Sequence, residues 1–140
     1  MKIIFKWTLR LLPIAYMIVI WVLSGLPHNA VVELPDSTID RFFKESMHLV
    51  EFAILYLLLI LAALTTNTFN AEISLVCAVI AALYGVVDEI HQSFVPYRSA
   101  TFIDVFKDAL GVLISYWFIQ KGYFEGKSQK LVSLLNKIPK

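Results

Sequence analysis

Tyr84-Gly85-Val86-Val87-Asp88-Glu89-Ile90-His91-Gln92-Ser93-Phe94-Val95-Pro96-Tyr97-Arg98-Ser99-Ala100-Thr101, followed by Asp104 and Asp108, is the stretch on which the reading of this chain turns. It holds four carboxylates, a histidine, a glutamine and an arginine, and long apolar segments flank it on both sides. Ionisable groups within membrane segments are costly. They usually face a bundle interior or a wet cavity rather than lipid.

The rest of the composition makes a membrane setting the natural one. The chain has 140 residues, enough for one domain, and is 59% hydrophobic and 16% charged. A soluble domain is roughly 45–50% apolar and about 25% charged, so this chain has too little polar surface to cover itself. Mean hydropathy is +0.72. The net charge of +1 gives no footprint for nucleic acid. Cys77 is the single cysteine, which excludes an internal disulfide and zinc-finger spacing, and it reads as a small buried hydrophobe.

Working outward, the pattern predicts an all-α, polytopic membrane protein with four transmembrane helices, at about 7–23, 48–64, 71–87 and 101–119. Residues 1–120 form one membrane domain, and 121–140 form a basic tail. Lys2, Lys6 and Arg10 before an apolar run are also what a signal peptide would show. Ser24-Gly25-Leu26-Pro27 is a poor cleavage site, however, and the run reads as a retained span with Pro13 inside it. Gly25 to Met47 is a polar loop that turns helical near Thr38. The motif loop runs from Asp88 to Ala100, since Pro96 argues against one unbroken helix. In the tail, Leu131, Leu134, Leu135 and Ile138 recur at helical spacing among lysines. That pattern fits a short amphipathic helix on the inner membrane surface, or a solvated tail.

Lysine and arginine counts set the expected orientation. The N-terminus has three, the tail five, the loop before the second helix two and the motif loop one. Both termini are then cytoplasmic, and both polar loops lie outside on one membrane face.

Several groups then fall at similar depth. Lys44, His48 and Glu51 share one helical face at i, i+4, i+7. Asp88 and His91 are i, i+3 if the third helix continues, while Glu89 points toward a different neighbour. A carboxylate beside an imidazole suits acid/base work and equally suits a divalent metal. His48, Glu51, Asp88, Glu89 and His91 are therefore the candidates for catalysis or ligation. Lys44, Gln92, Arg98, Asp104 and Asp108 are the candidates for substrate binding, with Arg98 suited to gripping an anionic group. Asp104, Asp108, Gly111 and Ser115 form one stripe on the fourth helix, and Asp108 sits about 10 Å inward from Thr101. Asp108 needs a partner there: Arg98, Lys107, Lys44 or a histidine. The eight groups that converge are five acids, one lysine and two histidines. Arg98 nearly balances them only if acids are protonated or a cation is present.

At these residues the chain resembles the VanZ-like family of small bacterial membrane proteins. The resemblance is carried by 84–98, Asp104, Asp108 and Gly111, with support from Ser24-Gly25-Leu26-Pro27 and from Lys44, His48, Glu51 and Phe52. Tyr97 and Ser115 stand where the family often has glycine, which bears on loop shape more than on chemistry. The resemblance implies a link to low-level resistance to teicoplanin, a lipid-tailed glycopeptide, and no settled reaction.

Three readings follow. The first is a cell-envelope protein whose pocket acts on a lipid headgroup or lipid-linked cell-wall precursor, without a serine or cysteine nucleophile motif. The second is a binder or scaffold that holds a lipid, ion or partner and turns nothing over. The third is a small proton-coupled transporter, disfavoured because the acids cluster at one end and no polar path reaches the other.

Overall fold

The computed structural model describes residues 2–26, 37–96 and 102–139, with side chains described from residue 3 and, in the second helix, from residue 46. Five α-helices account for most of these residues: α1 (Lys2–Ser24), α2 (Ser37–Leu64), α3 (Ala71–Gln92), α4 (Phe102–Ile119) and α5 (Gln129–Leu135). Among the described residues there is no strand. A widened π-type turn, Gln120–Phe124, carries α4 onward before the chain breaks.

Three helices are long and apolar enough to cross a membrane, over Ile3–Ser24, Ser46–Leu64 and Ala71–Gln92. The fourth, α4, carries Asp104, Lys107 and Asp108 in its first two turns and falls outside that set. Asp108 nevertheless faces the bundle and is fully buried, whereas Phe102, Phe106, Leu113, Trp117 and Phe118 point outward. Apart from Glu72 in the first turn of α3, the exposed large side chains on α1 and α3 are likewise apolar, as lipid-facing surface requires.

The first three helices extend further than their apolar runs suggest, whereas the fourth, expected over 101–119, is Phe102–Ile119. The expected 7–23 is Lys2–Ser24, and the expected 48–64 begins at Ser37. At about 42 Å, α2 outreaches a hydrocarbon core of about 30 Å, so its polar first turns extend beyond it. The third helix does not stop at 87. It runs through Asp88–Gln92, which the loop assignment had taken, because the constraint that Pro96 places on its neighbour falls only on Val95. Asn70 caps its start by accepting from the Ile73 amide at 2.9 Å.

Packing centres on α2, which meets α1, α3 and α4. Its buried stripe is Phe52, Leu55, Tyr56, Ile60 and Leu64, joined by Ile20, Ala78, Ala81, Val112 and Cys77. The most extensive contact is α2 with α4, and Gly111 sets its closeness. A Cβ at that position would overlap the Leu49 carbonyl. The same crossing places Asp108, one turn earlier on α4, beside His48, the residue before Leu49.

The opposite end is closed by polar and aromatic contacts. Arg10 donates through Nε to the Thr65 hydroxyl at 2.8 Å and through Nη2 to the Thr65 carbonyl at 3.3 Å, securing the end of α2. Phe69, Tyr123 and Phe124 cluster with ring centroids 5.1 to 5.8 Å apart. The tail folds back onto this end. Leu135 is buried, Leu131 and Ile138 pack on the core, and Ser128 caps α5. Leu134, by contrast, stays exposed. Beside the tail, hydrogen bonds from Lys121 and Lys127 hold the exposed Glu125 carboxyl below its ordinary pKa.

Gly111→Ala should lower the thermal midpoint of the detergent-purified protein by an amount corresponding to about 1–3 kcal/mol, the usual cost of overpacking. An unchanged midpoint would contradict the close α2–α4 crossing.

Candidate functional site

The C-terminal ends of α1 and α3 meet α2 and α4 at one end of the bundle, and the acids gather there. Asp88, Glu89 and Asp108 are 1%, 4% and 0% exposed. Asp88 lies between two donors. The Ser24 hydroxyl of α1 donates to its Oδ1, and Gln92 Nε2, one turn on, donates to its Oδ2 at 2.6 Å. These bonds fix the carboxylate's orientation and answer the desolvation that burial imposes.

His48, Asp88 and Glu89 each offer a ligand atom, and these atoms all lie within 4.8 Å of one another. Asp88 and Glu89 are adjacent on α3, and the spacing argument sent them to different neighbours. The α2–α3 contact brings both to His48. Asp108 arrives from α4, with His48 Nδ1 3.6 Å from its Oδ1. Of the four partners considered for Asp108, a histidine is the one the described residues show. Lys107 pairs instead with Asp104 at 3.2 Å. Glu51, a turn below His48, lies within electrostatic reach of Tyr16 on α1, Tyr84 on α3 and Asp108.

His91 is not paired with Asp88 as the i, i+3 spacing allowed. Its ring stacks on Trp21 of α1, with centroids 3.8 Å apart and planes 13° from parallel. Its Nδ1 is buried without a hydrogen-bond partner among the described residues. Gln92, at i+4, has taken Asp88. Its amide is buried and donates to that carboxylate. The Arg98 proposal and the side chain of Lys44 lie outside the described residues.

Two participants escaped the sequence reading. Ser24 appeared there only as part of a turn, and Trp21 was not singled out. The available signal was a hydroxyl and an indole at the end of an apolar helix. Neither has meaning until α1 is packed against α3.

What can this arrangement do? Three buried carboxylates and an imidazole can accept and hold protons, ligate a cation or bind a polar group driven into the pocket. Around it the bundle is apolar and entirely helical among the described residues. The class is thus an α-helical membrane protein with a buried carboxylate–histidine centre at one end of the bundle. The family described as VanZ/LLP1 matches residues 4–123, most of the chain, and the protein belongs to it. No curated protein and no solved structure matches the chain.

The Ser24–Asp88 bond carries a direct prediction. Ser24→Ala leaves a buried carboxylate oxygen short of its donor and should destabilise the protein by about 1–3 kcal/mol. In an Asp88→Asn background the same change should cost measurably less. Strictly additive losses in thermal melts would contradict the bond.

Proposed function

We propose that this protein is a bacterial cell-envelope protein of four membrane spans with both termini cytoplasmic. Residues 1–120 form its membrane domain, and its polar pocket opens to the outer face. There it takes up an anionic lipid headgroup or a lipid-linked cell-wall precursor, and so limits the action of teicoplanin-type glycopeptides. The observation that carries this reading is the convergence of His48, Asp88, Glu89 and Asp108 from three helices at one end of the bundle. Ionisable groups inside a span are functional by default, because their burial is costly. Family membership supports the envelope setting. The sidedness of α4 supports its role as the fourth span: Asp108 turns inward, while Phe102, Phe106, Trp117 and Phe118 turn outward. Arg98 and Lys44 would supply positive charge for the headgroup.

The same pocket serves either turnover or binding. Glu89→Gln separates them: an enzyme loses nearly all activity, and a binder loses affinity in a graded way. Transport is the weaker reading. A second polar cluster, in which the Tyr56 and Ser74 hydroxyls lie 2.8 Å apart with Gln120 near Ser74, exists deeper in the bundle. Along the helices between the two clusters lie the buried apolar residues Phe52, Leu55, Ala81 and Val112, which weigh against a continuous polar path.

The test is teicoplanin and vancomycin susceptibility in a Gram-positive host, comparing wild type with Asp88→Asn and His91→Ala at matched membrane levels. Wild type should protect against teicoplanin, and both substitutions should abolish protection. Protection that survives Asp88→Asn, or no protection by wild type, overturns the reading.

A further inference from the structure

The sequence pattern offered the tail's apolar residues to the membrane, but the structure packs most of them on protein. Leu135 is buried, and Leu131 and Ile138 rest on the core. Gly122 permits this approach, since a Cβ there would stand 2.6 Å from Leu131 Cδ2. The chain reverses at Gly126, whose φ of 69° is left-handed, and the Ser128 amide donates to the Gly122 carbonyl at 3.1 Å. Past the other end of α5, the Tyr123 hydroxyl donates to Asn136 Oδ1 at 3.1 Å. α5 is thus fastened at both ends beside the π-type turn, with one face outward.

That outward face is basic. Gln129, Lys130, Ser133, Leu134 and Lys137 line a shallow groove on the surface. Leu134 stands exposed in it, with Lys130 four residues before and Lys137 three after. Nearby Lys121 and Lys127 pair with Glu125, at 2.8 and 3.1 Å. Lys130 and Lys137 have no acid partner among the described residues.

Depth determines what such a face meets. From Asp104 to Gly122 the chain advances about 27 Å at helical rise, close to a hydrocarbon thickness of about 30 Å. With Asp104 at one membrane boundary, Gly122 and the α5 helix beside it come to the other. Trp7 of α1 and Trp117 of α4 stand exposed near that second boundary, where aromatic side chains concentrate.

We propose that the outer face of α5 binds anionic phospholipid headgroups of the leaflet at this end of the bundle. This seat depends on α4 being the fourth span, as in the functional reading above, and on nothing in the polar centre. It also lies beyond residues 4–123, which carry the family match. Lys130 and Lys137 bring two ammonium groups to a headgroup phosphate, and the Ser133 hydroxyl and Gln129 amide add neutral donors. Leu134 meets the edge of the acyl region between the two lysine stems, as on other interfacial helices. A zwitterionic headgroup carries its own cation and gains little from this face. Lysines beside a membrane attract anionic leaflets in general. Here packing on Gly122 fixes which two face the lipid.

The test is amide hydrogen exchange of the full chain in lipid nanodiscs, read by mass spectrometry over residues 125–139. The discs hold phosphatidylcholine alone or with a rising share of phosphatidylglycerol. Each lysine near an anionic surface contributes about fivefold, so exchange in α5 should slow by about five- to twenty-five-fold as phosphatidylglycerol is added. Lys130→Gln with Lys137→Gln should remove most of that slowing, and Lys130→Arg with Lys137→Arg should keep it. Both lysines are exposed, and unchanged exchange in α2 and α3 verifies that the variants fold. In a second arm, soluble glycerol phosphate is added to phosphatidylcholine discs and should leave α5 exchange unchanged. No response of wild type to phosphatidylglycerol, or a response untouched by the paired glutamines, overturns the proposal. Equal slowing by glycerol phosphate assigns the face to a free phosphate anion and also overturns it. A lipid response without teicoplanin protection leaves the α5 seat standing and the functional reading fallen; protection without a lipid response does the reverse.

Discussion

The close approach of α4 to the Leu49 carbonyl of α2, made through Gly111, is the constraint on which the centre of this protein depends. A membrane interior gives helices little hydrophobic reason to associate, so they associate where backbones can come near and polar groups can meet. Gly111 provides the nearness, and the polar meeting follows from it. Asp108 stands one turn from Gly111, and His48 is the residue beside Leu49, so the glycine that lets two backbones touch also fixes the carboxylate against the imidazole. Gly85 repeats the device from the third helix, opening the space the Asp108 carboxylate fills. Two absent side chains thus bring three helices to one polar point.

Energetically, that point is costly, and the protein offsets part of the cost visibly. Asp88 is held by a hydroxyl and an amide, one from another helix and one from its own. The tail and the Arg10–Thr65 contact stabilise the far end, where no cluster of buried acids strains the packing. Between the two ends the core is plain apolar packing of Phe52, Leu55, Ile60 and their neighbours. This division suits a site that engages a ligand at one membrane face and has no need to pass anything through.

Much of this was legible in the residues, for reasons of period and expense. Apolar runs of membrane-crossing length declare themselves, and acids embedded beside such runs stand out. Helix ends were less legible. The turn into helix near Thr38 was legible, and α2 begins at Ser37, but hydropathy cannot register the polar turn Asp88–Gln92, which is helical because its hydrogen bonds continue, not because it is apolar. Side-chain partners were least legible. The i, i+3 spacing permitted Asp88 to meet His91, yet Gln92 at i+4 holds the carboxylate and Trp21 of α1 takes the ring. Local spacing limits which groups can touch, while packing between distant helices decides which do. Ser24 shows the same: its value arises only from the α1–α3 contact.

The central claim is that α3 and α4 meet at Gly85 and Asp108 and so close the polar centre. A cysteine pair tests it most directly. In a Cys77→Ala background the chain has no other thiol. Gly85→Cys with Asp108→Cys places two Cβ atoms about where a disulfide wants them, 3.0 Å apart at the outset against a usual span of about 3.5–4.5 Å. Mild oxidation in membranes should give an intramolecular bond in the double variant, with a gel mobility that reverts on reduction. Two thiols that stay free, or that link only between chains, would contradict the account.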